Sequence, residues 1–252
     1  MADRIHPFLR HDGVLAFAHR GGNLAAPENT MAAFAHAVGL GYRYLETDVH
    51  ASADGEVFAF HDDDLKRMTG EDVAISALSA ADVAAIRLPG GHEIPKMADL
   101  FEAFPEARFN IDAKAWPVVE PLAALINRTQ THDRVCIGAF NDDRIDTLYR
   151  LTQGRVCRGA GPKQAAKFRA AATLRLPVRY GADCLQFPSA HKGIAMVTPA
   201  LVVYAHRRAM QMHVWTINDE STMHALLDMK VDGLMTDDCA LLKSVLQSRK
   251  LW

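Results

Sequence analysis

Long hydrophobic runs are missing from this chain. No stretch approaches the ~18 consecutive apolar residues that a membrane-crossing helix needs, so none is expected. A surplus of either charge is also missing: 28 Lys and Arg stand against 30 Asp and Glu, a net charge of −2. That balance lacks the basic footprint of a nucleic-acid or anionic-membrane binder, and a polynucleotide substrate would need a basic groove. Cysteine is scarce, with four in 252 residues. Cys136, Cys157, Cys184 and Cys239 lie far apart and show no paired metal-site spacing. Three sit in apolar, strand-like runs and are expected to be buried thiols. The first eighteen residues carry Asp3, Arg4, Arg10 and Asp12 and no apolar core of signal length. A reducing, cytoplasmic setting is the expectation. Low-complexity segments and composition shifts are absent, so one domain over residues 1–252 is expected.

What is present is a 49% hydrophobic composition and a regular alternation of strand and helix patterns. Strands are expected at Val14–Arg20, Tyr44–His50, Arg108–Lys114, Arg134–Phe140, Arg155–Gly159, Asp183–Phe187, His213–Asn218 and Gly233–Thr236. Helices fall between them. The first begins after Pro27–Thr30, with Met31, Phe34, Ala35 and Val38 on one face. Ser79 with Asp82 caps a short helix over Ala80–Ile86. Asn141 caps another, and Thr198 with Pro199 opens a third. Eight βα units in about 250 residues predict a TIM (β/α)8 barrel with right-handed crossovers. A doubly wound open sheet would need a Gly-rich phosphate turn, and His19-Arg20-Gly21-Gly22-Asn23 does not fit that fingerprint.

The second strand runs into a hairpin, YLETDVHASADGEVFAFHDDDL from Tyr44. Glu46 and Asp48 are two apart and share a face. Asp54-Gly55 favours a two-residue type I′ turn. With that turn, Asp48 lies opposite His61, at roughly 4.5–5.5 Å between Cβ atoms. Asp112 and Lys114 repeat the spacing of two on the next strand. In a barrel, polar residues at the C-terminal strand ends read as catalytic, and His19, Arg20, Glu46, Asp48, Asp112 and Lys114 all fall there. Three carboxylates suit a hard divalent cation, Mg²⁺ or Ca²⁺. Zinc would recruit His or Cys. Arg20 and Lys114 supply charge for a bound phosphate or carboxylate. His19 and His61 can serve as general base and acid. The set fits metal-assisted phosphoryl transfer from an anionic ester. The plain alternative, solvated strand ends with surface ion pairs, does not explain six such residues on one rim.

The same residues resemble the glycerophosphodiester phosphodiesterase family over nearly the whole chain. His19-Arg20-Gly21 with PENT, then ETD, DG, His61-Asp62 and RMTG at Arg67–Gly70 form an ordered signature. IPKMADLF, NIDAK, VWTIN and VDGLMTDD look like its downstream blocks. The resemblance implies a TIM barrel with a small insertion after the second strand, about residues 61–95. It implies metal-dependent hydrolysis of small-molecule glycerophosphodiesters to sn-glycerol 3-phosphate and an alcohol. On it, His19 and His61 are the acid–base pair, Glu46, Asp48 and Asp112 bind the divalent metal, and Arg20 and Lys114 contact phosphate. The substrate's own 2-hydroxyl attacks phosphorus, and water opens the resulting cyclic phosphate. Two departures stand out. Asp112 replaces the family's usual Glu, and Ala139 replaces a Ser, read as a packing change. Trp215 either walls the substrate pocket, where it could hold a choline-type cation, or packs between barrel and helix. Two rivals remain. A lysophospholipase D would need an apolar groove, for which Leu88, Ile94 and Met97 offer exposed faces. A non-catalytic binder would have lost turnover while keeping the pocket. Monomer and homodimer are both compatible with the sequence.

Overall fold

The structure, a computed structural model, describes residues 5–174, 176–191 and 193–252. In chain order the strands are β1 (Leu15–Ala18), β2 (Tyr44–Ala51), β3 (Val57–Ala59), β4 (Arg108–Ala113), β5 (Val135–Gly138), β6 (Cys157–Arg158), β7 (Cys184–Pro188), β8 (Ala190–His191), β9 (Ile194–Ala195), β10 (Gln211–Trp215) and β11 (Gly233–Thr236). The helices are α1 (Met31–Gly39), α2 (Lys66–Thr69), α3 (Ala80–Ala85), α4 (Met97–Ala103), α5 (Val119–Thr129), α6 (Asp142–Leu151), α7 (Pro162–Leu174), α8 (Pro199–His206), α9 (Glu220–Asp228) and α10 (Cys239–Ser248). None of the described helices is long and apolar enough to cross a membrane.

Eight parallel strands among the described residues pair in the order β6-β5-β4-β2-β1-β11-β10-β7. A bridge between Gly159 and Cys184 then joins the two ends. The sheet is therefore a nearly closed barrel with helices around it, as the alternation predicts. Both faces of the eight parallel strands are largely buried, which is why they read as apolar runs. Outward residues such as Leu45, Ile111, Ile137, Leu185 and Val214 join the helices in one large core. Inward residues, among them Leu15, Phe17, Tyr44 and Met235, form a second core inside the barrel.

The expected caps form. Thr30 accepts from Ala33 N, Ser79 and Asp82 make a reciprocal capping box, and Asn141 accepts from Asp143 and Arg144 N. Each such cap contributes about 1 kcal/mol. The buried face of α1 differs from expectation: it is Ala33, Phe34 and Ala37, while Ala35 and Val38 face outward. Close approach decides this. A Cβ on Gly21 would lie 2.9 Å from the Ala33 Cβ, so the turn after β1 demands small residues on that side of the helix.

The hairpin register also differs. Val49 pairs with Ala59 and Ala51 with Val57, and Ser52 N donates to Glu56 O at 2.9 Å. The loop is thus three residues, Ala53-Asp54-Gly55, with Gly55 at φ +86°. Asp48 faces Phe60, whose N–H donates to the Asp48 carbonyl at 2.9 Å, and not His61. Asp54 is the cause. Its carboxylate accepts from Ser52 Oγ at 2.6 Å and from Ala80 N at 2.8 Å, tying the loop to α3 and displacing the two-residue turn.

Between β3 and β4 the chain builds a satellite core from Phe58, Phe60, Leu65, Ile75, Val83, Leu88 and Ile94. Leu88, Ile94 and Met97 are buried, so they offer no exposed apolar groove.

Candidate active site

The C-terminal ends of the parallel strands surround a cavity of about 670 Å³. His19, Arg20, Glu46, Asp48, His61, Asp112, Lys114 and Trp215 all line it. The rim expected from the sequence is therefore assembled, although His61 arrives from beyond the end of β3 and not as a cross-strand partner.

The turn after β1 sets the first two side chains. Arg20 adopts φ +53°, followed by Gly21 and Gly22 at +82° and +81°. Left-handed backbone is cheap only for glycine. A Cβ on Gly22 would also lie 2.8 Å from Cys239 Sγ, so the double glycine is required by both torsion and space. The reversed backbone points Arg20 N at Glu46 Oε2, 3.1 Å away.

Glu46 and Asp48 are 6% and 4% exposed. Arg20 Nε lies 3.1 Å from Asp48, and Lys114 Nζ lies 3.4 Å from Asp48 and 3.6 Å from Asp112. Burial, reinforced by the charge of Asp48, pushes the Glu46 carboxyl up to about 8, against the pull of His19. The same two causes raise Asp112, whose Oδ1 is buried with no hydrogen-bond partner among the described residues. Crowded, partly unsatisfied carboxylates of this kind fit a hard, oxygen-preferring cation. With Arg20 and Lys114 drawn onto Asp48, oxygens of the three acids do not all approach within 4.8 Å of one another.

Both histidines are held by carboxylates that the sequence reading passed over. His19 Nδ1 donates to Asp237 Oδ1 at 2.6 Å, and Asn218 holds the other Asp237 oxygen at 2.7 Å. Burial opposes protonation of His19, but Glu46 and Asp237 outweigh it and raise its pKa. His61 Nδ1 donates to Asp62 Oδ1 at 2.6 Å. Asp62 in turn pairs with Arg67, which reaches Glu28 at 2.5 Å, and Glu28 pairs with Arg20. Burial would raise Asp62, but the hydrogen bonds from Arg67 and His61 hold it low. Such bonds at Nδ1 fix the ring and leave Nε2 for proton transfer. Glu28 and Asn29 of PENT, Asp62, Arg67 and Asp237 all lie within the quoted motifs, so the signal was present. Their partners lie up to 218 positions away, which no spacing rule reads.

The opposite wall is mostly apolar, with Arg169, Gln186 and His191 among its residues. Phe140, Ala160, Pro162, Phe187, Pro188, Met196 and Trp215 line it. Phe140 stands edge-on to Trp215 at 6.0 Å, and Lys114 Nζ lies 5.8 Å over the Phe140 ring. Trp215 is thus a pocket wall. Ala139 also lines the cavity, so its substitution for Ser bears on the pocket and not only on packing.

A parallel barrel with histidine–carboxylate pairs and buried carboxylates at the C-terminal strand ends has the layout of a barrel enzyme's active site. Residues 19–241 match the profile of the Glycerophosphoryl diester phosphodiesterase family, and the chain belongs to that family. It is 40% identical over 97% of its length, and 95% of the relative's, to the Mycobacterium tuberculosis protein named "Probable glycerophosphodiester phosphodiesterase 2". It is 28% identical to mouse "Lysophospholipase D GDPD1", over 92% of this chain and 85% of that one. Among solved structures, a glycerophosphodiester phosphodiesterase of Agrobacterium tumefaciens superposes with a TM-score of 0.78 at 21% identity, covering 93% of this chain and 99% of that one. An Oleispira antarctica phosphodiesterase, solved with the product sn-glycerol-3-phosphate, gives 0.78 at 21%, over 93% and 97%. The protein is a phosphodiester hydrolase of this family.

Proposed function

We propose that the protein hydrolyses glycerophosphodiesters to sn-glycerol 3-phosphate and an alcohol, with His61 as base and His19 as acid. The observation that carries this reading is the pair of histidines, each anchored at Nδ1 by a carboxylate, on the rim of one anion-binding cavity. Glu46, Asp48 and Asp112 would hold Mg²⁺ or Ca²⁺. When bound, the cation supplies positive charge to the phosphoryl oxygens and favours ionisation of the attacking hydroxyl.

Arg20 and Lys114 leave Asp48 to grip the substrate phosphate, Arg20 through a fork suited to two oxygens. His61 takes the proton of the substrate's 2-hydroxyl, whose oxygen attacks phosphorus. The bond to the leaving alcohol breaks as His19, whose pKa Glu46 and Asp237 raise, delivers a proton to that oxygen. The histidines then exchange roles as water opens the cyclic phosphate. Trp215 and Phe140 hold the alcohol portion.

The test is release of glycerol 3-phosphate from glycerophosphocholine and glycerophosphoethanolamine by EDTA-treated protein with Mg²⁺ or Ca²⁺ restored. Metal-dependent product, absent from H19A and H61A, supports the reading. No product with any metal overturns it.

A second reading, lysophospholipase D activity, is favoured by one observation. The wall from Phe140 through Met196 is a mostly apolar surface continuous with the charged rim, interrupted by Arg169, Gln186 and His191, of the kind an acyl chain would occupy. Faster release of choline from lysophosphatidylcholine than from glycerophosphocholine supports it, and the reverse order rejects it.

A further inference from the structure

Below the catalytic rim, inside the barrel, three cysteines from three neighbouring strands converge. Cys136 of β5, Cys157 of β6 and Cys184 of β7 are fully buried, and their sulfurs all lie within 4.8 Å of one another. Cys136 Sγ and Cys184 Sγ are 3.9 Å apart. Two zinc–thiolate bonds of ~2.3 Å at the tetrahedral angle span ~3.8 Å, so the sulfurs stand near the spacing of ligands on one ion. A fourth donor stands beside Cys184, outside the 4.8 Å cluster, and would have to close on it to bind the same ion. His213, two residues beyond the partner of Cys184 on β10, is wholly buried. Its Nε2 is engaged by Gln211 at 3.1 Å, while its Nδ1 has no hydrogen-bond partner among the described residues.

We propose that Cys136, Cys157, Cys184 and His213 form a binding site for a thiophilic divalent cation of the zinc class, separate from the carboxylate site at the rim. Three sulfurs and an imidazole make a closed Cys3His set, the composition of structural zinc centres. It contains no oxygen donor, so it does not suit Mg²⁺ or Ca²⁺. The electrostatics agree. Hydrogen bonds from Cys136 and Cys157, with help from His213, pull the Cys184 thiol far down, while burial pushes Cys136 and Cys157 up. Binding of a divalent cation here would release the thiol protons, so uptake should be pH-dependent.

The neighbours give the site a task. Gln186 follows Cys184 on the same inward face, donates to Asn110 at 2.8 Å, and both line the floor of the cavity. Gly159 and Gly138, the inward residues above Cys157 and Cys136, leave room for the Gln186 amide. An ion tying β5, β6 and β7 together would fix that floor at the point where only a single bridge joins β6 to β7.

The experiment has two arms on the full-length chain. Metal content is measured in reduced protein as purified, and Cd²⁺ is then titrated into EDTA-treated protein while the thiolate-to-cadmium charge-transfer absorption is followed. Carboxylates give no such band, which separates this site from the rim and from the proposed function. One zinc-class ion per chain, or a band saturating at one Cd²⁺ per chain, is expected. The band should be lost in C157A and in C184S and kept in C239S. H213N should retain a weaker band, because one nitrogen donor is gone while three sulfurs stay. Wild-type protein that carries no thiophilic metal and gives no band overturns the proposal. So does a band unchanged in C157A, or a disulfide among the three cysteines under non-reducing conditions. A variant that fails to fold does not decide the matter, because the wild-type measurements alone can refute it.

Discussion

The two histidine–carboxylate pairs look alike at 2.6 Å but are built differently. His19 stands at the end of the first strand and takes its carboxylate from just beyond the last, with Asn218 bracing it and Glu46 at 3.8 Å from Nε2. It is a deep, rigid pair whose surroundings favour the charged ring. His61 takes its carboxylate from the next residue, in the insertion, and that carboxylate hangs on Arg67, half exposed, and through it on Glu28. A ring whose pKa is raised by its neighbours suits the proposed proton donor. A ring braced by an outer chain of ion pairs can adjust as substrate enters. On the proposed mechanism, environment and not residue type separates the two roles.

The largest test of that contrast uses the leaving group. Both H19A and H61A should lose about 10²–10⁴-fold in kcat on glycerophosphocholine. With a glycerophosphodiester of p-nitrophenol, whose anion departs without a proton, H19A should recover most of its first-turnover rate of p-nitrophenolate release and H61A should not. Recovery in H61A instead would exchange the two roles.

Next in size are the carboxylates behind the rings. D237N should cost roughly 10–100-fold in kcat and move the alkaline limb of the rate profile to lower pH, since it removes part of what raises His19. D62N should cost less and leave that limb in place. Profiles of kcat/KM against pH for the two variants give the comparison.

The third test concerns the acids beside His19. Glu46 has its pKa raised from 4.5 to about 8, so between those values the metal-free native state binds more protons than the unfolded chain. Stability then falls as pH rises across that window, on the order of a few kcal/mol. Asp112 and His19, also raised, act in the same direction. Saturating Mg²⁺ should flatten the fall by replacing the proton, which urea unfolding at pH 5 and pH 8 will show. A metal-free protein more stable at pH 8 would contradict the burial argument. The smallest effect is expected of R67A. Its ion pairs are largely exposed at the arginine, so stability should change by less than about 1 kcal/mol, with a few-fold loss in kcat/KM confined to the His61 side.

Much of this was legible in the order of residues. All eight parallel strands and the caps at Ser79, Asn141 and Thr198 follow from local patterns, because burial on both faces and capping chemistry are local demands. The rim was legible because strand ends in a barrel point one way. What was hidden depends on distant geometry. The hairpin slipped by one residue because Asp54 bonds to α3, which the dipeptide Asp-Gly does not announce. The exposed side of Val38 follows from the closeness of Gly21 to Ala33. The cysteines seemed unrelated at separations of 21 and 27 residues (157 − 136 and 184 − 157). Yet each precedes by two an inward residue at or against the cavity floor, Gly138, Gly159 or Gln186, and that shared step was the available signal.

The pairing of β1 with β11 has a further meaning for the life of the chain. His19 emerges from the ribosome early, and Asp237 more than two hundred residues later. Until the final strand docks beside the first, His19 lacks the acid that fixes its ring. If His19 delivers the proton as proposed, that step awaits nearly complete synthesis, whereas the carboxylate partner of His61 is its immediate neighbour Asp62.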